Sequence, residues 1–140
     1  MRVEFKKTFD ALSEIELLAR CIYGEARGEP DAGKLAVAHV VLNRVRANGF
    51  YGKSVREVIL KPWQFSCFND KDPNLPKIAA ETFSKYPIDI CRVIASLAIQ
   101  SLTVDPTGGA TLYHAQSVSP EWKDKVRFLC RIGSHSFYKE

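Results

Sequence analysis

The clearest helical pattern in the chain follows Ser13. Ser13 and Glu16 have the spacing of a capping box, in which a serine side chain caps a helix that carries a glutamate three residues later. Apolar residues then recur at intervals of three and four, at Ile15, Leu18, Ala19, Ile22 and Ala26. Gly28 and Pro30 end the pattern, because the residue before a proline avoids the helical region. The spacing therefore predicts a helix that begins after Ser13 and ends near Ala26.

A second helix is predicted from about residues 31–33 to Arg46, with Asn48-Gly49 as its C-terminal stop. Its apolar residues fall on nearly every side, at Leu35, Ala36, Val37, Ala38, Val40, Val41, Leu42 and Val45. A helix that is apolar all round is a buried one. The β-branched residues would also suit a strand, but the segment is too long for that.

Weaker patterns predict the remaining elements. Ser54 and Glu57 have the spacing of a second capping box, which opens a short helix over 54–60, and two more helices are predicted over 75–85 and 89–103. After Gly109 the pattern changes to short strands, at 110–114 and 126–132, and a turn at 133–135 leads to a return strand at 136–138. We therefore expect a mainly α (α+β) fold with about five helices and a small C-terminal β-rich part. Residues 1–11 form an N-terminal lead-in, and residues 12–140 form the domain.

Composition places the chain among globular proteins. It has 140 residues, of which 46% are hydrophobic and 26% charged, so a disordered or coiled-coil chain is excluded. No apolar run reaches the roughly 20 residues of a membrane helix, and we expect no membrane insertion. The first residues lack the apolar stretch of a secretory signal. The expectation is a protein made in the cytoplasm without a signal peptide, which reaches its place of action after release.

Charge and cysteine spacing narrow the classes of partner further. The net charge of +4 is mild and its basic residues are scattered, so we expect no nucleic acid partner. The four cysteines, Cys21, Cys67, Cys91 and Cys130, show no CxxC pair and no zinc spacing. We expect free, mostly buried thiols, no metal and no cofactor. One or two disulfides formed after release are the alternative, and the sequence does not give their pairing.

Glu25 is the residue that the pattern singles out for chemistry. It lies seven residues after Leu18, which places it about 20° from Leu18 on the helix and beside the apolar stripe. A carboxyl that is partly removed from water holds its proton more tightly, and a protonated glutamic acid is what a glycosidase needs at its leaving group. The alternative is an edge carboxylate paired with Arg27 or another base. Glu29 competes for the catalytic role, but its place before Pro30 favours stabilisation of the next helix start.

Five segments occur in an order that is specific to one family. They are LARCIYGEARGEP, GKLAVAHVVLNRV, PWQFSC, GGATLYHA with SPEW, and IGSHSFY, which together reach from Leu17 to Tyr138. In order and spacing they resemble the cell-wall hydrolase family of the spore cortex-lytic enzymes. The resemblance implies a lysozyme-like fold, cleavage of peptidoglycan between N-acetylmuramic acid and N-acetylglucosamine, and a catalytic glutamate at Glu25. The physical argument and the resemblance thus choose the same side chain.

Candidate substrate-binding residues lie in two later segments. Trp63, Gln64 and Ser66 combine an aromatic face with short polar groups, which is how sugars are bound, although Trp63 and Phe65 would equally suit the core. The resemblance also implies cleft positions at Thr111, Tyr113 and His114, and Glu29 is included among the candidates. Alternation along the strand puts Thr111 and Tyr113 on one face and His114 on the other. A structural histidine is the alternative for His114.

Several mechanisms remain open on the sequence alone. A hydrolytic muramidase needs a second catalytic carboxylate, and none of the candidates has a strong claim to that role: Glu29, Asp70, Asp72 and Glu81. This favours a lytic transglycosylase, which needs only one. The chain has no histidine pair at the spacing of zinc ligands, which argues against a zinc amidase. A non-catalytic wall-binding module or a structural virion protein is compatible with the sequence. The expected partner is peptidoglycan, and the expected state is a monomer. A basic module of this kind is similar to a phage or prophage lysin that a holin-type partner releases to the cell wall.

Overall fold

The structure is a computed structural model that describes residues 3–80 and 86–140. Its α-helices are α1 Val3–Asp10, α2 Glu14–Ala26, α3 Asp31–Arg46, α4 Val55–Leu60, α5 Leu75–Ile78 and α6 Tyr86–Ile99. Its strands are β1 Leu112–Ala115, β2 Arg127–Ile132 and β3 His135–Lys139. Short 3-10 helices occupy Ser66–Phe68 and Glu121–Asp124. The mainly α architecture with a small C-terminal sheet is the predicted one.

Helix α2 begins where the capping pattern predicts. The Ser13 side chain accepts a hydrogen bond from the backbone N–H of Glu16 at 3.1 Å. The Glu16 carboxylate does not complete the box in the usual way. It accepts hydrogen bonds instead from the guanidinium groups of Arg20 and of Arg92, at 3.1 and 2.8 Å. Because Arg92 belongs to α6, this carboxylate links α2 to α6.

Helix α3 is the buried central helix that its apolar composition predicts. Its core residues Ala36, Val37, Ala38, Val40 and Val41 are fully buried. Helices α2 and α6 pack against it and against each other, and most of the apolar core lies among these helices. The last turn of α2, which carries Glu25, is therefore fixed to the core by the elements around it.

Residues 1–11, predicted as a lead-in, contain a helix that the sequence patterns did not reveal. Phe9 of α1 is fully buried and its ring lies edge-on to that of Phe68, with centroids 5.1 Å apart. The reason is tertiary, since Phe68 belongs to a segment far along the chain. A helix of this length is marginal by itself and is stabilised here by packing.

Two helix ends differ from the prediction. Helix α5 ends at Ile78, and the rest of the predicted 75–85 helix, including Glu81, falls mainly on residues outside the described ranges. Helix α6 ends at Ile99, not near residue 103, because Ser101 adopts a left-handed conformation with φ of 61°. Its N–H and that of Leu102 bond back to the carbonyls of Ala98 and Leu97, which forms a Schellman stop. Across the described ranges, no helix is long and apolar enough to span a membrane.

The C-terminal strands form an antiparallel sheet in the order β1-β3-β2. Tyr113 pairs with Phe137, so both side chains share the face that packs on α3 through Phe137. His114 pairs with Ser136 and points to the opposite face. An irregularity between Phe128 and Cys130 shifts the β2 register. The alternation predicted for β1 is confirmed, with Tyr113 and His114 on opposite faces of the sheet.

Candidate active site

Glu25 lies in the last turn of α2, half-buried between that helix and the sheet. The Tyr113 hydroxyl donates a hydrogen bond of 2.6 Å to its Oε1. Arg27, the partner in the alternative interpretation, turns away and donates to Asn74 Oδ1 at 2.8 Å. The carboxyl therefore faces a phenol and no guanidinium forms a salt bridge with it among the described residues.

The surroundings raise the pKa of Glu25. Burial is the largest cause, and the negative charge of Asp72 acts in the same direction. The hydrogen bond from the Tyr113 hydroxyl and the positive charge of Arg44 oppose this rise without cancelling it. A carboxyl with a raised pKa retains its proton closer to neutral pH, which a general acid requires.

The sheet brings one of the predicted strand residues to Glu25. Burial, followed by the charge of Glu25, raises the pKa of Tyr113 well above its usual value, so the phenol stays protonated and can donate. His114 lies on the other face, where its Nε2 lies 2.8 Å from the Tyr138 hydroxyl and its ring stacks on that of Tyr138. Thr111 is buried, and its carbonyl accepts a 2.7 Å hydrogen bond from Arg44 Nε. Of these three residues, Tyr113 is the one whose side chain forms a hydrogen bond with the Glu25 carboxyl.

The PWQFSC segment borders a cavity of about 560 Å³. Trp63 lines it, is 83% exposed, and has a left-handed backbone with φ of 67°, whereas Phe65 is buried beneath the Arg44 guanidinium. Trp63 therefore lies at the surface, as the sugar-binding interpretation requires, whereas Phe65 belongs to the core. Gln64 is half-buried and Ser66 exposed on the same segment. Asp72 also lines the cavity, and its negative charge acts on Glu25, which is not itself one of the residues that line this cavity.

Glu29 has a different environment from Glu25. Its carboxylate accepts hydrogen bonds from the N–H and the hydroxyl of Ser134, at 2.8 and 2.7 Å, and lies 3.6 Å from His135 Nδ1. Burial raises the pKa of Glu29, but the Ser134 hydrogen bonds and the nearby charges of His135 and Lys34 outweigh it and hold the pKa below its usual value. Glu29 is therefore an ionised group that ties the β2–β3 turn to the loop after α2.

Two residues beside Glu25 were not singled out from the sequence. Arg44 is a buried guanidinium whose Nη1 has no hydrogen-bond partner, and the available signal was a charged residue next to the apolar residues of α3. Cys67 was considered only as one of four cysteines and as the last residue of the PWQFSC segment, not as a site residue. No disulfide joins the four cysteines, all of which lie in the described ranges, and the described residues hold no cluster of metal-ligating side chains.

Comparison with known proteins identifies the family. A family model described as Cell Wall Hydrolase matches residues 28–138. The chain belongs to this family. The assignment confirms the family inferred from the motifs, and the match begins just after the GEAR segment that contains Glu25.

Curated relatives extend the similarity over most of the chain. A spore cortex-lytic enzyme of Bacillus cereus is 35% identical over 128 residues, covering 91% of this chain and 44% of the relative. That of Halalkalibacterium halodurans is 33% identical over 126 residues, covering 89% of this chain and 34% of the relative. The cell wall hydrolase CwlJ of Bacillus subtilis is 29% identical, with 91% of this chain and 85% of the relative covered. The chain thus spans less than half the length of the two spore cortex-lytic enzymes.

Solved structures confirm the lysozyme-like fold of this family. The catalytic domain of the germination-specific lytic transglycosylase SleB from Bacillus anthracis superposes with a TM-score of 0.73 at 28% identity, covering 93% of this chain and 98% of that one. The catalytic domain of the Bacillus cereus SleB protein gives a TM-score of 0.71 at 30% identity, covering 90% and 89% of the two chains.

Proposed function

We propose that this chain cleaves the glycan strand of peptidoglycan between N-acetylmuramic acid and N-acetylglucosamine, as a lytic transglycosylase with Glu25 as its only acid and base. The carrying observation is the half-buried Glu25 carboxyl with its raised pKa, held by Tyr113. Membership of the cell wall hydrolase family and similarity to a lytic transglycosylase domain support the substrate and the reaction type.

The proposed reaction uses Glu25 twice. Protonated Glu25 gives its proton to the oxygen that bridges the two sugars, and the bond from that oxygen to the anomeric carbon of the muramic residue breaks. The carboxylate then removes a proton from the primary hydroxyl of the same muramic residue, whose oxygen bonds to the anomeric carbon. The products are an anhydro-muramic end and a free hydroxyl on the leaving sugar, and Glu25 is again protonated. No water enters the reaction.

The substrate is proposed to run from Glu25 along the PWQFSC segment. Trp63 offers an exposed aromatic face at the cavity wall, which suits stacking against a sugar ring, and Gln64 and Ser66 supply polar groups beside it. Thr111, His114 and Glu29 remain predicted binding residues. In the structure they contact protein groups, so any part they take in binding is proposed to be through the loops and strands that they hold.

A hydrolytic muramidase is the second candidate, and Asp72 is the observation that favours it. Hydrolysis needs a second carboxylate to activate water or to stabilise the intermediate. Asp72 is half-buried, lines the cavity and acts on Glu25, so it is the residue for that role. The muramidase route therefore predicts that Asp72→Asn abolishes cleavage, whereas the transglycosylase route predicts that the variant retains it.

The experiment compares the solubilisation of purified peptidoglycan sacculi by the wild type and by Glu25→Gln. Glutamine keeps the shape of the side chain but has no proton to give, so we expect activity to fall by at least about 100-fold with the fold intact. Glu121→Gln, which changes an exposed carboxyl on the 3-10 helix Glu121–Asp124, is the matched control. Turnover by Glu25→Gln comparable to the control would contradict the assignment.

Mass spectrometry of the released fragments separates the candidate functions. Anhydro-muramic ends support the transglycosylase, fragments with an added water support the muramidase, and binding to sacculi without soluble fragments supports a wall-binding module. The predictions of a monomer, of a phage or prophage origin and of a holin-type release partner stay predictions. Gel filtration and co-expression with a membrane-permeabilising partner test the first and the last.

A further inference from the structure

The sheet is attached at two points to residues 25–29, where the last turn of α2 continues into the following loop. At the first point, the Tyr113 hydroxyl of β1 donates to Glu25 Oε1 at 2.6 Å. At the second, the N–H and the hydroxyl of Ser134 donate to Oε1 and Oε2 of Glu29, at 2.8 and 2.7 Å. Because Ser134 lies in the turn between β2 and β3, one sheet holds two carboxyl groups that are four residues apart.

The second attachment depends on a glycine. Gly133 has a left-handed backbone with φ of 59°, and a Cβ there would lie 2.6 Å from Glu29 Oε1 and 3.0 Å from Pro30 Cδ. The first of these separations does not occur at a real Cβ, so the turn reaches the carboxylate only because residue 133 has no side chain. Lys34 Nζ donates to the Glu29 carbonyl and holds the backbone of that residue as well.

His135, the residue after Ser134, lies between the two attachments. It is 7% exposed, and its ring lies edge-on to that of Tyr113, with centroids 5.1 Å apart and an angle of 62° between the planes. Its Nδ1 is 3.6 Å from Glu29 Oε1, too far for a hydrogen bond, and has no hydrogen-bond partner within the described ranges. The imidazole therefore contacts the Tyr113 ring by packing and also lies close to the Glu29 carboxylate.

Two rings thus determine where the Tyr113 phenol points. Phe137, which pairs with Tyr113 and is fully buried, contacts it with centroids 5.6 Å apart, and His135 contacts it edge-on. Burial lowers the pKa of His135, and the charge of His114 adds to this, whereas Glu29 opposes it without cancelling it. The imidazole is therefore neutral at neutral pH and acts on the phenol by packing.

We propose that His135 is a positioning residue, whose ring keeps the Tyr113 hydroxyl on the Glu25 carboxyl, and that Glu29 holds this ring in place through Ser134. The inference rests on the proposed function, because it takes Glu25 as the reacting carboxyl. A hydrogen bond weakens steeply when its geometry departs from the optimum, so a small displacement of the phenol weakens the bond to Glu25. The carboxylate, which accepts this bond, then loses stabilisation, and the pKa of Glu25 rises.

The test is the pH dependence of kcat/KM for the release of soluble fragments from sacculi. The free enzyme needs protonated Glu25, so activity falls as pH rises through the pKa of that carboxyl. His135→Ala releases the phenol, and this falling limb moves up by about half a pH unit. His135→Phe restores a ring and returns the limb to the wild-type position. His39→Ala, which truncates a buried histidine of α3 bonded to Thr103, leaves the limb where it was.

A double-mutant cycle shows whether His135 acts through Tyr113. In the Tyr113→Phe background the hydroxyl is absent, so His135→Ala moves the limb no further. If the two shifts add, His135 acts on Glu25 by another route and the proposal is overturned. The other titratable groups that act on Glu25 are unchanged by these substitutions and so cannot produce the difference: Cys21, Arg44, Cys67 and Asp72.

A purely structural role gives a different result. It lowers kcat/KM or the melting temperature of His135→Ala without moving the limb, and that outcome overturns the proposal. A phenylalanine variant that keeps the alanine profile overturns it as well.

Glu29→Ala tests the same arrangement from its other end and replaces His135→Ala if that variant does not fold. It frees Ser134 and the turn, so the limb again moves up. Removing a negative charge would by itself lower the pKa of Glu25 and move the limb down. The sign of the shift therefore separates positioning from electrostatics, and a limb that is unmoved or moves down overturns the proposal.

Direct titration of the Glu25 carboxyl by ¹³C NMR, in the wild type and in these variants, separates this proposal from the proposed function. A wild type that forms no anhydro ends refutes the transglycosylase. A Glu25 titration that is the same with and without the His135 ring refutes the positioning role, whatever the products are.

Discussion

Replacement of Gly24 by alanine tests the close contact between α2 and Cys67. In a helix interior, alanine is favoured over glycine by about 1 kcal/mol, so secondary structure alone predicts that Gly24→Ala stabilises the protein. The tertiary structure predicts the reverse. The new Cβ would lie 2.7 Å from Cys67 Sγ and 2.9 Å from Cys67 Cβ, with Ile78 at 3.6 Å on the next side.

The size of the destabilisation depends on which groups can move to make room for the new Cβ. Cys67 is 1% exposed and cannot turn into solvent, so either the 3-10 helix Ser66–Phe68 or the last turn of α2 must shift. Overpacking of this kind costs about 1–3 kcal/mol, against which the helix preference returns about 1 kcal/mol. We therefore expect the free energy of unfolding of Gly24→Ala to be lower than that of the wild type by up to about 2 kcal/mol.

Gly28 provides the matched control, because it lies four residues away in the same segment. A Cβ at Gly28 would meet nothing within 4 Å, and the residue is not in the left-handed region. Gly28→Ala should raise the free energy of unfolding by about 0.4–1 kcal/mol, because alanine has less conformational freedom than glycine in the unfolded chain. Urea denaturation followed by circular dichroism measures both variants. If Gly24→Ala proves as stable as Gly28→Ala, the close contact between α2 and Cys67 is contradicted.

Two further changes probe the carboxyls at opposite ends of the same loop. Tyr113→Phe removes the 2.6 Å donor to Glu25, so the pKa of Glu25 should rise and the alkaline limb of kcat/KM should move up by about 1–2 pH units; an unmoved limb would mean that the phenol does not act on the reacting carboxyl. Glu29→Gln should lower the free energy of unfolding at pH 7 by about 1–3 kcal/mol, because it removes a carboxylate that accepts two hydrogen bonds from Ser134. The pKa of Glu29 is lowered from 4.5 by folding, so its contribution is present above that value and lost as pH falls through the lower folded value; denaturation at pH 7 and pH 3 should show the difference from the wild type shrinking, and an equal difference at both would contradict this.

Local signals in the sequence predicted the central helices and the residue proposed for catalysis. The Ser13 cap and the proline after Glu29 set the limits of α2, and apolar residues on nearly every side marked α3 as buried. These features act over one or two turns of chain. Glu25 could be placed at the edge of the apolar stripe for the same reason, since the angle between two residues of one helix depends only on their separation.

The local sequence also predicted which β1 side chains share a face, but not which face packs against α2. Alternation separated Tyr113 from His114, and the β1–β3 register confirms that separation. Which of the two faces meets α2 depends on how the sheet packs on α3 through Phe137. Sequence alternation carries no information on that choice, because the contact joins segments far apart in the chain.

The sequence by itself thus determined helices α2 and α3 and the order of the elements, because these depend on neighbours within a few residues. Together with the family resemblance, it also chose Glu25. Only the tertiary structure decided that α1 forms, that Arg44 is buried, and that the Tyr113 hydroxyl reaches the Glu25 carboxyl. The physical reason is that the protonation of Glu25 is governed by burial and by donors from distant segments. Their proximity exists only once the core has brought those segments together.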